Sequence, residues 1–323
     1  MSREHDHDSH AHASRVNDGH AHPGHGHHHD APDTMGRAFA LGIALNTGFV
    51  AVEAFYGWMA GSLALLADAG HNLSDVAGLV LAWAALAAAR LRPTERHTYG
   101  WRRGSIIAGF TNAVVLLVAM GSLMWEAFAR LRAPAPVEGM TMIVVAAIGV
   151  VVNGATALLF SGGHRHDVNI RGAFMHMAAD ALVSLAVVLA GLIYLWRGWS
   201  WIDPAISLAI ALVIVFGTWS LFRQSLSLLF DGVPAHIELA AVRAALLDVK
   251  GVLALHDLHV WALASMETAL TAHVVLAPDA EAESVLHDAT ALLHQRFGIA
   301  HATLQLESPA YAAECLTESC SPV

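Results

Sequence analysis

Six stretches of about 20 mostly apolar residues run through the first two-thirds of this 323-residue chain, near 38–59, 63–89, 104–129, 139–160, 172–196 and 204–229. A helix of that length spans the hydrocarbon core of a bilayer, with every backbone N–H and C=O satisfied inside the segment. Charged residues make up only 14% of the chain, against about 25% in soluble domains. The chain therefore reads as a multi-pass membrane protein in contact with lipid. An even number of spans returns both ends to one side. Arg90, Arg92, Arg96, Arg102 and Arg103 crowd the connection between spans two and three, and Arg165 and Arg171 lie between four and five. The opposite loops hold only Arg130, Arg132 and Arg197. The positive-inside rule then places both termini in the cytoplasm, for a protein of the cell (inner) membrane.

Two of the spans carry the same pattern, His71-Asn72-Leu73-Ser74-Asp75 and His176-Met177-Ala178-Ala179-Asp180. Residues i and i+4 of a helix lie on one face, so each segment aims an imidazole and a carboxylate at one spot. Two such helices facing each other supply two His and two Asp, the donor set and ligand count of a tetrahedral zinc-like ion. Charged groups within a bilayer cost about 2.5–3.5 kcal/mol each on insertion scales, which a shared cation offsets. Two carboxylates and two neutral imidazoles carry a charge that one divalent cation neutralises. Without metal the site takes up protons, because two close buried carboxylates resist joint ionisation. Exchange of metal for protons requires that exclusivity. Asp68 shares the stripe of His71 and Asp75, at i, i+3 and i+7. It is a partner of the ligands, a proton relay or a packing group, and Glu53 in span one has the same status. Isolated polar residues that hydrogen-bond between helices are the bland alternative, but they leave the repeated pentad unexplained.

Outside the spans the texture changes. Residues 1–34 read as a disordered cytosolic tail, with ten of the 22 His in the first thirty residues and little that could build a core. A metal-collecting role fits that composition. Residues 35–232 form the six-helix membrane domain and 233–310 a cytosolic domain, leaving 311–323 as a Cys-containing tail. In the cytosolic part, helical periodicity at 236–249, strands at 252–263 and 267–277, helix at 280–297 and a strand at 300–307 give an α-β-β-α-β order. That order suggests a small ferredoxin-like α+β domain. Cys315 and Cys320 are too few for a disulfide framework and point to a reducing compartment. As a pair they are zinc ligands or free thiols.

At these residues the chain resembles the cation diffusion facilitator family, in its zinc-transporting branch. The resemblance rests on Ala67-Asp68-Ala69-Gly70-His71-Asn72-Leu73-Ser74-Asp75, the second pentad, and Thr98-Tyr99-Gly100-Trp101-Arg102-Arg103. His256-Asp257-Leu258-His259-Val260-Trp261, Ala272-His273-Val274 and Thr303-Leu304-Gln305-Leu306-Glu307 extend it to the C-terminal part. It implies a homodimeric antiporter that exports a divalent cation, Zn2+ with Cd2+ or Co2+ as companions, in exchange for protons. It also implies cytosolic zinc ligands, carried over by motif to His256, His273, His301 and Glu307, with zinc as a regulatory ligand as well as the substrate. His287 is a further candidate ligand. His259 is a weaker one, since three residues beyond His256 on a regular strand it faces the other way. The Cys pair is like the Cys-containing tail of animal zinc transporters. Ser105 stands near a place where relatives often have Glu, so a metal site in the connection between spans two and three lacks support despite Glu95 and His97. The loop between spans four and five, His-rich in many relatives, holds only His164 and His166.

Other classes fit less well. A net charge of −10 argues against nucleic acid. No His-Glu-x-x-His occurs, so the chain does not read as a metallopeptidase or as any enzyme. A membrane-anchored metal sensor would not need six spans.

Overall fold

The computed structural model describes residues 33–160 and 168–318. The His-rich stretch 1–32, His164, His166 and Cys320 lie outside the described residues, as does the side chain of Cys315. Six long helices come first: α1 (Asp33–Ala60), α2 (Leu63–Ala89), α3 (Gly104–Arg132), α4 (Gly139–Phe160), α5 (Val168–Arg197) and α6 (Ile202–Leu229). Among the described residues, five of these, α2 to α6, are long and apolar enough to cross a membrane by length and composition. The 28-residue α1 begins at Asp33, ahead of the expected start of its span and just inside the stretch read as tail.

The bundle is organised around α2, which packs against α1, α3, α5 and α6. Small residues make this possible. Ala64, Ala67 and Ala69 are buried on α2, and close backbone approach through such residues is how membrane helices associate. Leu65, Met120, Met142 and Val187 fill the centre. The outer surface is apolar too: Trp83, Trp125, Trp196 and Phe216 are 72–77% exposed.

One end of the bundle is clamped by polar groups. Gly61 has φ 66, a left-handed turn that suits glycine, and the chain reverses there between α1 and α2. Ser62 is the N-cap of α2 and accepts from Leu65 N. The carboxylate of Asp203, in the first turn of α6, accepts from Ser62 Oγ (2.6 Å), Leu63 N (2.9 Å) and Ala64 N (3.3 Å). Arg130 Nη1 donates to Gly61 O at 2.6 Å. Orphan donors at the start of a membrane helix are costly, and here an acid some 140 residues away satisfies them.

The C-terminal part has α7 (Leu239–Leu247), β1 (Val252–Ala264), β2 (Glu267–Leu276), α8 (Ala282–Phe297), β3 (His301–Glu307) and α9 (Pro309–Glu318). The expected α-β-β-α-β order is the one found, and α9 is an unanticipated helix where the tail was expected to begin. The sheet runs β1-β2-β3, with β1 and β2 antiparallel and β2 and β3 parallel across the α8 crossover. Val242, Leu246, Val285 and Leu293 of the helices pack on Leu255, Leu258, Val260, Leu270 and Val274 of the sheet. The hairpin end of the sheet reaches the membrane part. Arg102 Nη1 lies 2.8 Å from Glu267 Oε2, Ser265 N donates to Ser105 Oγ at 3.1 Å, and the Tyr99 ring packs edge-on against His301.

Candidate metal site in the membrane and its cytosolic counterpart

The two pentads converge. Helices α2 and α5 each present an i, i+4 pair, and the four side chains close a ring. His71 Nε2 lies 3.7 Å from Asp75 Oδ2 and 3.8 Å from Asp180 Oδ1. His176 Nε2 lies 3.1 Å from Asp75 Oδ2 and 3.6 Å from Asp180 Oδ2. For metal–ligand bonds of about 2.0–2.1 Å, the edge of a tetrahedron is about 3.3–3.4 Å, so these separations suit one small ion. His71, His176 and Asp180 each offer a ligand atom within 4.8 Å of the others. His71 Nδ1, Asp75 Oδ2 and Asp180 Oδ2 are buried without a hydrogen-bond partner, and a cation would satisfy the two carboxylate oxygens.

The quartet borders a cavity of about 580 Å³ between α2, α3, α5 and α6. Asp68, Ser74 and Asn112 contribute polar lining, and the α6 wall is mostly apolar, with Ile206, Ile210 and Ile214. Ser74 Oγ donates to Asn112 Oδ1 at 3.3 Å. Asp180 is 2% exposed, whereas the side chains of Asp75 and His176 are 35% and 41% exposed, so the ring opens on one side only.

Asp68 stands behind the ring. Its Oδ2 accepts from Ser184 Oγ at 3.0 Å and its Oδ1 from Asn72 Nδ2 at 3.4 Å. Ser184 follows Asp180 by one helical turn, and that spacing was the available sequence signal for a partner the sequence reading missed. Glu53 is fully buried, beside Asp68 and Asn72.

The cytosolic residues gather differently from the expectation. His256 pairs directly across β1–β2 with His273. Glu307 reaches both, with Oε2 at 2.8 Å from His256 Nε2 and Oε1 at 2.8 Å from His273 Nδ1. Gln305 Nε2 donates to Glu307 Oε1 at 2.7 Å. His301 is not part of this group. It pairs with Ala269 at the far end of β3, four residues from Gln305, or about 13 Å along the strand. His287 is exposed on α8, its ring 3.4 Å from Asp288.

His259 corrects a strand-parity expectation. Asp257 has φ 50 and the β1–β2 register shifts between His256 and His259, the mark of a bulge. Leu255 points into the core before the bulge, and Leu258 and Val260 after it. His256 and His259 therefore share the face opposite the core. Asp257 joins them to the cluster, 3.0 Å from His259 Nε2 and 3.6 Å from His273 Nε2. A bulge of this kind carries no strong signal in sequence, although Asp tolerates positive φ better than most residues.

Known proteins match this arrangement. Residues 39–230 match the family profile described as the cation efflux transmembrane domain, and residues 234–309 that of the cation efflux protein cytoplasmic domain. The chain is 34% identical over 290 residues to the zinc transporter ZitB of Escherichia coli, covering 89% of this chain and 92% of that one. It is 37% identical over 281 residues to the metal cation efflux system protein CzcD of Cupriavidus metallidurans, covering 86% and 89%. A cadmium, cobalt and zinc/H(+)-K(+) antiporter of Bacillus velezensis is 32% identical over 289 residues, covering 88% and 92%. With a membrane bundle and a cytoplasmic domain both matched, the chain belongs to the cation efflux family of multi-pass membrane transporters, the cation diffusion facilitators, and is not an enzyme.

Proposed function

We propose that the chain exports a zinc-class divalent cation from the cytosol in exchange for protons, by alternating access around His71, Asp75, His176 and Asp180. The carrying observation is the closed ring of those four side chains, contributed by two non-adjacent helices, with separations of 3.1–3.8 Å. Two imidazoles and two carboxylates favour zinc, with cadmium and cobalt as companions. The ion cancels the charge of the carboxylates while bound. Its departure leaves two close acids in a low-dielectric bundle, and protons restore neutrality. Both termini face the cytoplasm on this reading, in keeping with the Arg-rich connections on that side.

Asp68 orients the ring from behind through Asn72 and Ser184. In the cytosolic domain His256, His273 and Glu307, with Asp257 and His259 beside them, hold zinc as a regulatory ligand, and this domain pairs two copies of the chain. The His-rich tail 1–34 collects metal for the cytosolic mouth. Zinc uptake by everted vesicles under a proton gradient tests the central claim. His71→Ala and Asp180→Ala abolish uptake while leaving the protein in the membrane. Undiminished uptake in either variant refutes the assignment.

A further inference from the structure

Glu53 is 0% exposed and neither of its carboxylate oxygens has a hydrogen-bond partner. It lies against Asp68, itself 1% exposed, and against Asn72, whose Oδ1 is also buried without a partner while its Nδ2 donates to Asp68. No Lys or Arg is among the electrostatic neighbours of either acid. From α2 the neighbouring groups are Asp68 and Asn72, and from α5 they are Asp180 and, bonded to Asp68, Ser184. Helix α4, also packed on α1, contains no ionisable residue. Two adjacent carboxylates without a counter-ion, inside a membrane bundle, cannot both be ionised at tolerable cost. A single shared proton relieves the pair: it removes one charge and lets one acid donate its O–H to the other.

We propose that Glu53 and Asp68 form a proton-holding station separate from the metal quartet, an inference that rests on the quartet being the transport site. Its position favours this role. Asp68 precedes His71 on α2 and Ser184 follows Asp180 on the antiparallel α5, so both displacements lead toward the end of the bundle clamped by Asp203. That end is remote from the C-terminal domain, which follows the other end of α6. Asp68 also lines the cavity of the quartet. A proton from water at the far face binds the pair. As the metal leaves, that proton passes through Asp68 to a vacated quartet carboxylate, and the pair reloads from outside.

The test uses the full chain in proteoliposomes and compares two transport modes. Glu53→Gln preserves size and hydrogen bonding but cannot release a proton. Zinc–zinc exchange at equal pH on both sides stays within about threefold of wild type, because it needs only the quartet. Uptake driven by a pH gradient falls at least about tenfold, and its pH profile flattens. Unchanged gradient-driven uptake overturns the proposal, and so does a parallel fall in exchange, which would make the pair mere support for the quartet. Exchange that survives His71→Ala would instead sink the transport-site reading. Infrared spectroscopy gives a readout that does not depend on Glu53→Gln folding. Zinc-loaded wild-type protein shows a protonated-carboxyl C=O band, and Asp68→Asn shifts that band by removing the carboxylate that accepts its hydrogen bond. Absence of that band from the zinc-loaded wild type overturns the proposal.

Discussion

Single side chains in this protein act through what they leave unsatisfied as much as through what they bind. The quartet holds two buried carboxylate oxygens with no hydrogen-bond partner among the described residues, and Asp68 is positioned by hydrogen bonds from Asn72 and Ser184. Groups that orient metal ligands from outside typically contribute about 10–100-fold in affinity. Ser184→Ala should therefore weaken zinc binding by about tenfold while preserving transport at saturating zinc, as titration of the purified protein against a chelator would measure. Asp257 is a separate case. At φ 50 it occupies a conformation that costs most L-residues about 1–2 kcal/mol and β-branched ones more. Asp257→Val should lower the thermal unfolding temperature of the cytosolic domain, and Asp257→Asn should leave it unchanged.

At the scale of elements, α2 is the helix on which the site depends. It packs against four neighbours, carries half the quartet, and has its first turn fastened to α6 by Asp203. Asp203→Ala strips acceptors from Ser62 Oγ and two backbone N–H groups. Leaving buried donors unpaired costs about 1–3 kcal/mol each, so detergent-solubilised protein should melt several degrees lower. The pentads should still bind zinc, since neither touches Asp203. Melting curves and zinc titration on one preparation separate the two effects. By contrast the Arg102–Glu267 pair, with side chains 41% and 49% exposed, belongs to the class of ion pairs that contribute at most about 1 kcal/mol. Its interest is positional, since it joins the connection after α2 to the β1–β2 hairpin.

For the whole molecule, the competition of metal and protons for one ring sets the direction of pH dependence. Ligands must shed protons to bind metal, so falling pH weakens binding and rising pH strengthens it. If two carboxylates exchange two protons for one ion, affinity should change by up to about a hundredfold per pH unit across the titrating range. Zinc titrations of full-length protein between about pH 6 and 8 would check the slope. A slope near zero would contradict coupling at the quartet. The exposed apolar Trp83, Trp125 and Phe216 leave the polar ring to the centre of the bundle. Cohesion within comes from small residues and buried hydrogen bonds.

Hydropathy and helical periodicity are local properties, so the sequence alone determined the six long helices nearly to their ends, the α-β-β-α-β order, and the pairing of each His with its Asp. It also singled out Glu53 and Asp68 as charges that needed a reason. Only tertiary structure could decide that α2 and α5 bring the two pentads within 3.1–3.8 Å of each other, because no local rule sets which helices meet. The same limit hid the bulge that turns His259 onto the face of His256, and the separation of His301 from Glu307. It also hid the clamp of Asp203 on α2. Each depends on register or packing between segments far apart in the chain, where a shift of one residue reverses which way a side chain points.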